Sequence, residues 1–277
     1  MTERADCTRV GVLGWPIGHS VSPAMHNAAF AARRMQWQYT ALAVPPERFD
    51  AELARLVERE GYPGFNVTIP HKQAAFHLQG VEAISPAAHA IGAVNTLTVQ
   101  PGGALHADNT DWQGFARDLA DHATDPAGAV CLVLGSGGSA QAISYALRQG
   151  SAASITQISR NPDGRSNAAG YGDLARLAPG ADLVVNCTPL GMSPRVDASP
   201  WPDDVPFPPG AVLYDLIYNP PVTRLMRQAE AAGARAIGGL GMLVWQGALS
   251  FELWTGRTAP VRVMYDAAAQ ALHQFST

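Results

Sequence analysis

Residues 130–147, VCLVLGSGGSAQAISYAL, constrain this chain more than any other stretch. An apolar run ends in a glycine-rich turn and passes directly into a helical pattern, and Gly135, Gly137 and Ala140 fit G-x-G-x-x-G/A at that junction. The first glycine permits a tight turn. The second lets a pyrophosphate approach the main chain, and Ala140 lets helix and sheet pack closely. Ser136, Gly138 and Ser139 complete the turn, so the start of the helix offers backbone N–H groups and a positive dipole end to phosphate oxygens. A dinucleotide site predicts a parallel sheet covered on both faces, and the flanking sequence agrees. Residues 129–134, 154–159, 183–186 and 212–215 read as strands, the last closing the series, with helices at 110–121 and 139–149. The second of these strands ends at Ser159 and is followed by Arg160, Asn161 and, after Pro162–Asp163–Gly164, by Arg165. Arginine in this place suits a 2′-phosphate and so favours NADP. The same arginines also read as ordinary surface charges, and Asp163 as a ribose-hydroxyl partner.

The N-terminal part alternates in the same way. Strands are expected at 10–14, 39–44, 65–69 and 94–99, the last followed by a turn at 101–103. Helices are expected at 22–34, capped by Ser22 with Pro23 in its first turn, and at 46–60. Residues 240–254 and 261–275 read as two further helices, the first apolar on most sides and therefore buried. A proline-rich loop of more than twenty residues lies between Cys187 and Gly210, a length usually associated with function or mobility. The predicted fold class is α/β in two domains with a cleft between them. Residues 1–110 form a substrate-binding and catalytic domain completed by the helices of 240–277, and residues 111–239 a doubly wound, Rossmann-type nucleotide-binding domain.

Composition narrows the function. With 47% hydrophobic and 15% charged residues the chain can bury sizeable cores. A net charge of −4 argues against a broad nucleic-acid footprint. No apolar run is long enough to span a bilayer, and residues 1–10 lack the apolar core of a signal peptide. Cys7, Cys131 and Cys187 are scattered, as reduced thiols of a cytoplasmic protein would be, and Cys131 and Cys187 read as core packing. No His/Cys/Asp cluster has metal-ligand spacing, so no metal is expected. Of 19 Lys and Arg residues only Lys72 is lysine. A lysine ammonium gives up a proton in a suitable environment and arginine effectively never does, which makes Lys72 a candidate for proton transfer as well as for a chance surface lysine.

Six short elements carry a resemblance. Residues 14–23, GWPIGHSVSP, are similar to G-x-P-[IV]-x-H-S-x-S-P; residues 66–72, NVTIPHK, to N-V-T-x-P-x-K; residues 92–96 to G-A-V-N-T; and residues 108–111 to x-N-T-D. YDLIYNP at 214–220 and GMLVWQ at 241–246 match two C-terminal elements. In family order and over nearly the whole chain, these elements resemble those of the shikimate dehydrogenases. The resemblance implies NADP-dependent, reversible hydride transfer at the C3 carbonyl of 3-dehydroshikimate, in aromatic amino acid (chorismate) biosynthesis. It implies that Lys72 is the proton donor and Asp111 its partner. Ser20 and Ser22, just before a helix start, suit a substrate carboxylate, which Tyr218 also approaches; Ser22 reads equally as an N-cap. Asn66, Thr68, Asn95, Asp111 and Gln246 bind ring hydroxyls, with Lys72 beside them. Gln246 stands in an apolar helix, where a core partner would also satisfy it; an unpaired amide there costs about 1–3 kcal/mol. Cys187, Thr188, Leu216, Gly239 and Met242 join the glycine turn around the cofactor. His19 is read as structural support, and His71 as pointing away from Lys72 along an extended stretch. Ala107 and Trp112 are an unfamiliar context for the N-T-D element, which bears on fine substrate preference and not on reaction class. The partners implied are small molecules, shikimate or 3-dehydroshikimate, for a monomer or homodimer. Rival readings are a quinate/shikimate dehydrogenase using NAD(P), a dehydrogenase for an aminoshikimate-type substrate, and a non-catalytic nucleotide- or shikimate-binding protein on the same fold.

Overall fold

The computed structural model describes residues 7–162 and 167–275. These separate into two compact units: residues up to Gly114 together with those from Val244 onward, and Phe115–Leu243. The divisions fall inside two helices and not at their starts, so Asp111 lies in the same unit as Lys72.

In the first unit, β1 (Thr8–Gly14), α1 (Ser22–Ala32), β2 (Trp37–Ala43), α2 (Phe49–Glu58), β3 (Gly64–Val67), α3 (Lys72–Phe76), β4 (Val81–Ile84), α4 (Pro86–Ile91), β5 (Thr96–Val99) and β6 (Leu105–Asp108) precede α5 (Asp111–Asp121). The six strands form one sheet in the order β2-β1-β3-β5-β6-β4. β1 pairs parallel with β2 and β3, whereas β3–β5 and β5–β6 are antiparallel, the latter joined by the turn at 101–103. Leu13, Phe65, Val67, Val94 and Leu97 from the sheet region close over Phe49, Leu53 and Leu56 of α2. Each such side chain contributes about 1.5–3 kcal/mol on full burial.

The second unit carries β7 (Val130–Leu134), α6 (Gly138–Gln149), β8 (Ser154–Ser159), β9 (Ala168–Gly170), α7 (Leu174–Leu177), β10 (Leu183–Asn186), β11 (Val212–Asp215), α8 (Arg224–Ala231) and β12 (Arg235–Gly238). Its sheet runs β12-β11-β10-β7-β8-β9, and every pair is parallel. Strand order reverses between β7 and β10, which is where an open α/β sheet of this kind places its ligand. α9 (Leu240–Thr255) and α10 (Val261–Phe275) complete the chain.

Several expectations change. Ser22 does not cap α1: the helix begins at Ser22 with no side-chain cap, because Ser20 Oγ accepts the Ser22 N–H at 3.3 Å and the Ser22 hydroxyl reaches that of Tyr39. The single helix expected at 46–60 is a short 3-10 turn, Pro46–Arg48, followed by α2. Residues 69–72 are not extended: the chain turns after β3, and Lys72 opens α3. The series of strands does not close at Val212–Asp215, since β12 adds to the sheet beyond β11. β4, β6 and β9 are also additional. Cys131 is buried in β7, and burial pushes its thiol up to about 12; Cys187 is not core packing but lies just past β10, half-buried.

Candidate active site

In the first unit three chain reversals converge on one side-chain network. β3 delivers Asn66, the 92–95 segment delivers Asn95, and the start of α5 delivers Asp111. The backbone fixes their register: Val94 N–H donates to Lys72 O at 2.9 Å, Val67 N–H to Asn95 O at 2.8 Å, and Asn95 N–H to Asp108 O at 3.0 Å. Lys72 Nζ lies 2.6 Å from Asp111 Oδ2, and both side chains are largely buried, 13% and 5% exposed. The other carboxylate oxygen, Oδ1, accepts from Asn95 Nδ2 at 2.8 Å. Asn95 has no freedom to flip its amide, because its Oδ1 accepts the Thr110 backbone N–H at 2.7 Å. Asn109 supports the same turn: Asp111 N–H donates to its Oδ1 at 3.1 Å, and its Nδ2 donates to Ala93 O at 2.9 Å. An anionic residue at the first position of a helix is also favoured by the helix dipole. The outcome is a lysine amine held against a carboxylate that is oriented from behind.

Gln246 joins this group, its Oε1 accepting from Asn95 Nδ2 at 3.3 Å. Asn66 is 5% exposed; its Oδ1 accepts the Tyr39 hydroxyl at 2.8 Å and its Nδ2 donates to Ser250 Oγ at 2.8 Å. Thr68 is half-buried beside it, its N–H donating to Leu13 O at 2.9 Å and its carbonyl accepting His71 N–H at 2.8 Å. Ser22 touches the network through Tyr39, and Ser20 through Ser22. His71 turns into the core, where its Nε2 donates to Val44 O at 2.7 Å and its ring stacks on Phe49 at 4.5 Å. His19 is exposed.

Sequence reasoning did not single out Tyr39, which joins Asn66 to Ser22, or Thr96, Thr110 and Ser250, which link Asn66 to Asn95. Thr96 Oγ1 lies 2.9 Å from Ser250 Oγ, and Ser250 Oγ donates to Gln246 O at 3.1 Å. Thr96 and Thr110 stand inside the G-A-V-N-T and N-T-D elements; for Ser250 the one local signal was a hydroxyl four residues after Gln246, and such a hydroxyl ordinarily bonds back to its own helix.

In the second unit Gly135 leaves β7 with φ +118°, in the left-handed region, and an added Cβ there would touch the Cys187 backbone. Gly137 precedes α6 in extended conformation, and a Cβ on it would project into open space. Ser136 is exposed, Gly138 and Ser139 form the first turn of α6, and Ala140 is fully buried against the sheet. A main chain open in front and packed behind fits a diphosphate. Ser159 ends β8, with Arg160 and Asn161 exposed beyond it; Arg165 and Asp163 lie outside the described residues. Across the switch point, Asn186 ends β10. Its Oδ1 accepts both Thr188 N–H and the Thr188 hydroxyl, at 2.9 and 2.8 Å. Its Nδ2 donates to Asp215 Oδ1 at 2.9 Å, and Asp215 Oδ2 accepts the Thr223 hydroxyl at 2.7 Å. Burial pushes the Asp215 carboxyl above its ordinary range, against the Thr223, Ile217 and Asn186 donors. Gly239 N–H donates to Ile217 O at 3.1 Å, next to Leu216, and Met242 is buried in the first turn of α9. Tyr218 belongs to this unit, and burial raises its phenol. Among the described residues no group of three or more His, Cys, Asp or Glu side chains could hold a metal ion, and no helix is long and apolar enough to cross a membrane.

The shikimate dehydrogenase substrate-binding domain family matches residues 12–97, and the shikimate 5′-dehydrogenase C-terminal domain family matches residues 239–269. The shikimate dehydrogenase (NADP(+)) of Moorella thermoacetica is 42% identical over 285 residues, covering 97% of this chain and 95% of that protein. That of Symbiobacterium thermophilum is 41% identical, covering 98% and 99%. Among solved structures, shikimate 5-dehydrogenase from Thermus thermophilus in complex with NADP(H) and shikimate is 36% identical with a TM-score of 0.85, over 95% of this chain and 99% of that one.

Proposed function

The chain belongs to the shikimate dehydrogenase family, and from this we infer that it interconverts 3-dehydroshikimate and shikimate with NADP, using Lys72 as proton donor and acceptor and Asp111 as its partner. When bound, the nicotinamide supplies the hydride. The work of this chain's own residues is to hold the ketone and to manage the proton. Reducing a ketone places negative charge on its oxygen, and a donor must stand there. The observation that carries the reading is the ammonium of the only lysine at 2.6 Å from a buried carboxylate. Asp111 holds Nζ in one place, and Asn95, locked by the Thr110 N–H, holds Asp111. On this reading Asn95, Gln246, Thr68 and Asn66 receive the ring hydroxyls, and Ser20, Ser22 and Tyr218 the carboxylate. The cofactor lies along Gly135–Ala140 and the Cys187, Thr188, Leu216, Gly239 and Met242 backbone, with Ser159, Arg160 and Asn161 toward its 2′-phosphate. A cytoplasmic monomer or homodimer with small-molecule partners is the matching cellular reading.

The test is steady-state turnover of shikimate and quinate, each with NADP and with NAD, followed by absorbance of the reduced nicotinamide. The expected result is highest kcat/KM for shikimate with NADP. Faster turnover of quinate with NAD would replace this reading by the quinate one. Tight binding of shikimate and NADP with no turnover would leave a binding protein.

A further inference from the structure

α9 begins without a cap of its own. Gly239 precedes it, and its carbonyl accepts the Leu243 N–H at 3.1 Å, but glycine has no side chain to offer the N–H groups of the first turn. Nor has this position room for one, since an added Cβ would overlap the Leu216 carbonyl. The missing acceptor comes from another helix. Asp118 of α5 is 4% exposed, and its carboxylate takes the hydroxyl of the fully buried Tyr214 and the Met242 N–H, which the Tyr214 oxygen also accepts. It occupies the space a side chain at residue 241 would need: a Cβ on Gly241 would overlap it. His122 Nε2 stands 3.8 Å away at the half-exposed edge, and Asp121 is the nearby like charge. Burial raises the Asp118 carboxyl, while Tyr214, His122 and Met242 oppose the rise.

Two glycines and a buried carboxylate thus shape one turn. Gly239 lies flat on the end of β11, Gly241 admits the carboxylate, and the carboxylate grips the Met242 N–H. We propose that Asp118, with Tyr214 behind it, is a positioning residue for the cofactor: it caps α9 from outside and holds the Gly239–Met242 turn in the form that receives NADP. This rests on the reading above that Gly239 and Met242 face the cofactor.

The full chain carrying Asp118→Ala, Asp118→Asn, Tyr214→Phe or Gly241→Ala tests it, with NADP affinity measured calorimetrically and KM for NADP and for shikimate measured separately. Loss of the grip is expected to raise the Kd and KM for NADP about tenfold in Asp118→Ala, the scale of one lost hydrogen bond to a charged group, with KM for shikimate unmoved. Asp118→Asn, which still accepts the Met242 N–H and faces Tyr214 with an amide, is expected to retain most of the affinity. Gly241→Ala evicts the carboxylate and is expected to reproduce the Asp118→Ala defect. The double variant Asp118→Ala/Gly241→Ala is then no worse than either alone. Unchanged NADP affinity in Gly241→Ala and Asp118→Ala together with a lowered melting temperature would overturn the proposal in favour of a purely structural role, and so would multiplying effects in the double variant. Should Asp118→Ala fail to fold, Gly241→Ala and Tyr214→Phe carry the same comparison. A wild-type chain that does not bind NADP would refute the cofactor reading itself, a result distinguishable from a variant that binds as well as wild type.

Discussion

On the proposed mechanism, removing the Lys72 amine takes away the proton donor that stands beside Asp111. Well-placed general acids are worth about 10²–10⁴-fold, so Lys72→Ala is expected to lower kcat at least about a hundredfold with a smaller change in KM. Lys72→Arg is not expected to recover it, because guanidinium does not cycle its proton. Steady-state kinetics of the two variants decide this, and near-wild-type turnover in either removes Lys72 from the chemistry. The pair itself was legible in the sequence, through the lone lysine and the N-T-D element, and so was Asn95, which orients Asp111; the supports behind Asn95 were not singled out, since Thr110 contributes its backbone N–H and a hydroxyl to the Asn95 amide and Ser250 is one hydroxyl in an apolar helix. His26 poses a different question. It is fully buried, stacked on Tyr39 at 4.2 Å, and neither ring nitrogen has a hydrogen-bond partner among the described residues. Burial lowers its pKa from 6.5 to about 3. Below 6.5 the unfolded chain binds a proton at this site that the folded chain refuses, so stability present above 6.5 is lost as pH falls from there toward 3. That slope is about 1.4 kcal/mol per pH unit for one group. His26→Phe keeps an aromatic ring against Tyr39 and removes the titration. Urea unfolding at several pH values between neutrality and moderate acid is expected to show a shallower acid slope in the variant, whatever its offset at neutral pH. Parallel slopes would mean that His26 finds a way to be charged in the fold.

At the level of elements, legibility followed burial. β7, β10 and β11 are short apolar runs and read directly as buried parallel strands, within a residue of their observed limits, and β8 (SITQIS) was placed by its position after the glycine turn and the helix. β4 (VEAI) is half-exposed, β9 (AAG) has no branched or aromatic residue, and β12 (RAIG) offers one isoleucine; none carries the period or composition that marks a strand. These strands are specified by neighbours in the sheet and not by their own residues. β3 shows how tight that specification is. Gly64 lies under the Trp254 indole, whose Nε1–H donates to Leu97 O at 3.0 Å, and a Cβ at residue 64 would overlap the ring. Gly64→Ala is therefore expected to destabilise by about 1–3 kcal/mol, the usual cost of overpacking. Gly180→Ala, where an added Cβ meets nothing within 4 Å, is expected to stay within about 0.5 kcal/mol of wild type. Denaturant midpoints at unchanged m distinguish the two; a neutral Gly64→Ala would show that Trp254 is free to repack.

For the whole molecule, the number of cores matters more than the length. The first unit closes its sheet over α2, and the second packs Leu132, Leu134, Val184 and Leu213 against Trp201, Phe207 and Leu225. The long proline-rich loop predicted between Cys187 and Gly210 supplies both aromatics, and the Trp201 Nε1–H donates to Val205 O at 2.8 Å; the loop is structural filling as well as connection. With a core in each unit, each has the means to hold a ligand on its own surface, and ligand binding slows amide exchange where the bound state must open. Shikimate alone is expected to protect amides of residues 66–72 and 95–111, and NADP alone those of 135–141 and 239–242. At a free ligand concentration of about 100 Kd the protection at amides that exchange only from the unliganded form approaches about a hundredfold. Hydrogen exchange read by mass spectrometry after proteolysis resolves these segments. NADP protection confined to residues 66–72 and 95–111, with none at the glycine turn, would refute the assignment of the dinucleotide to the second unit. If shikimate instead protected 135–141 and left 66–72 untouched, the substrate would have to be moved away from Lys72 and Asp111.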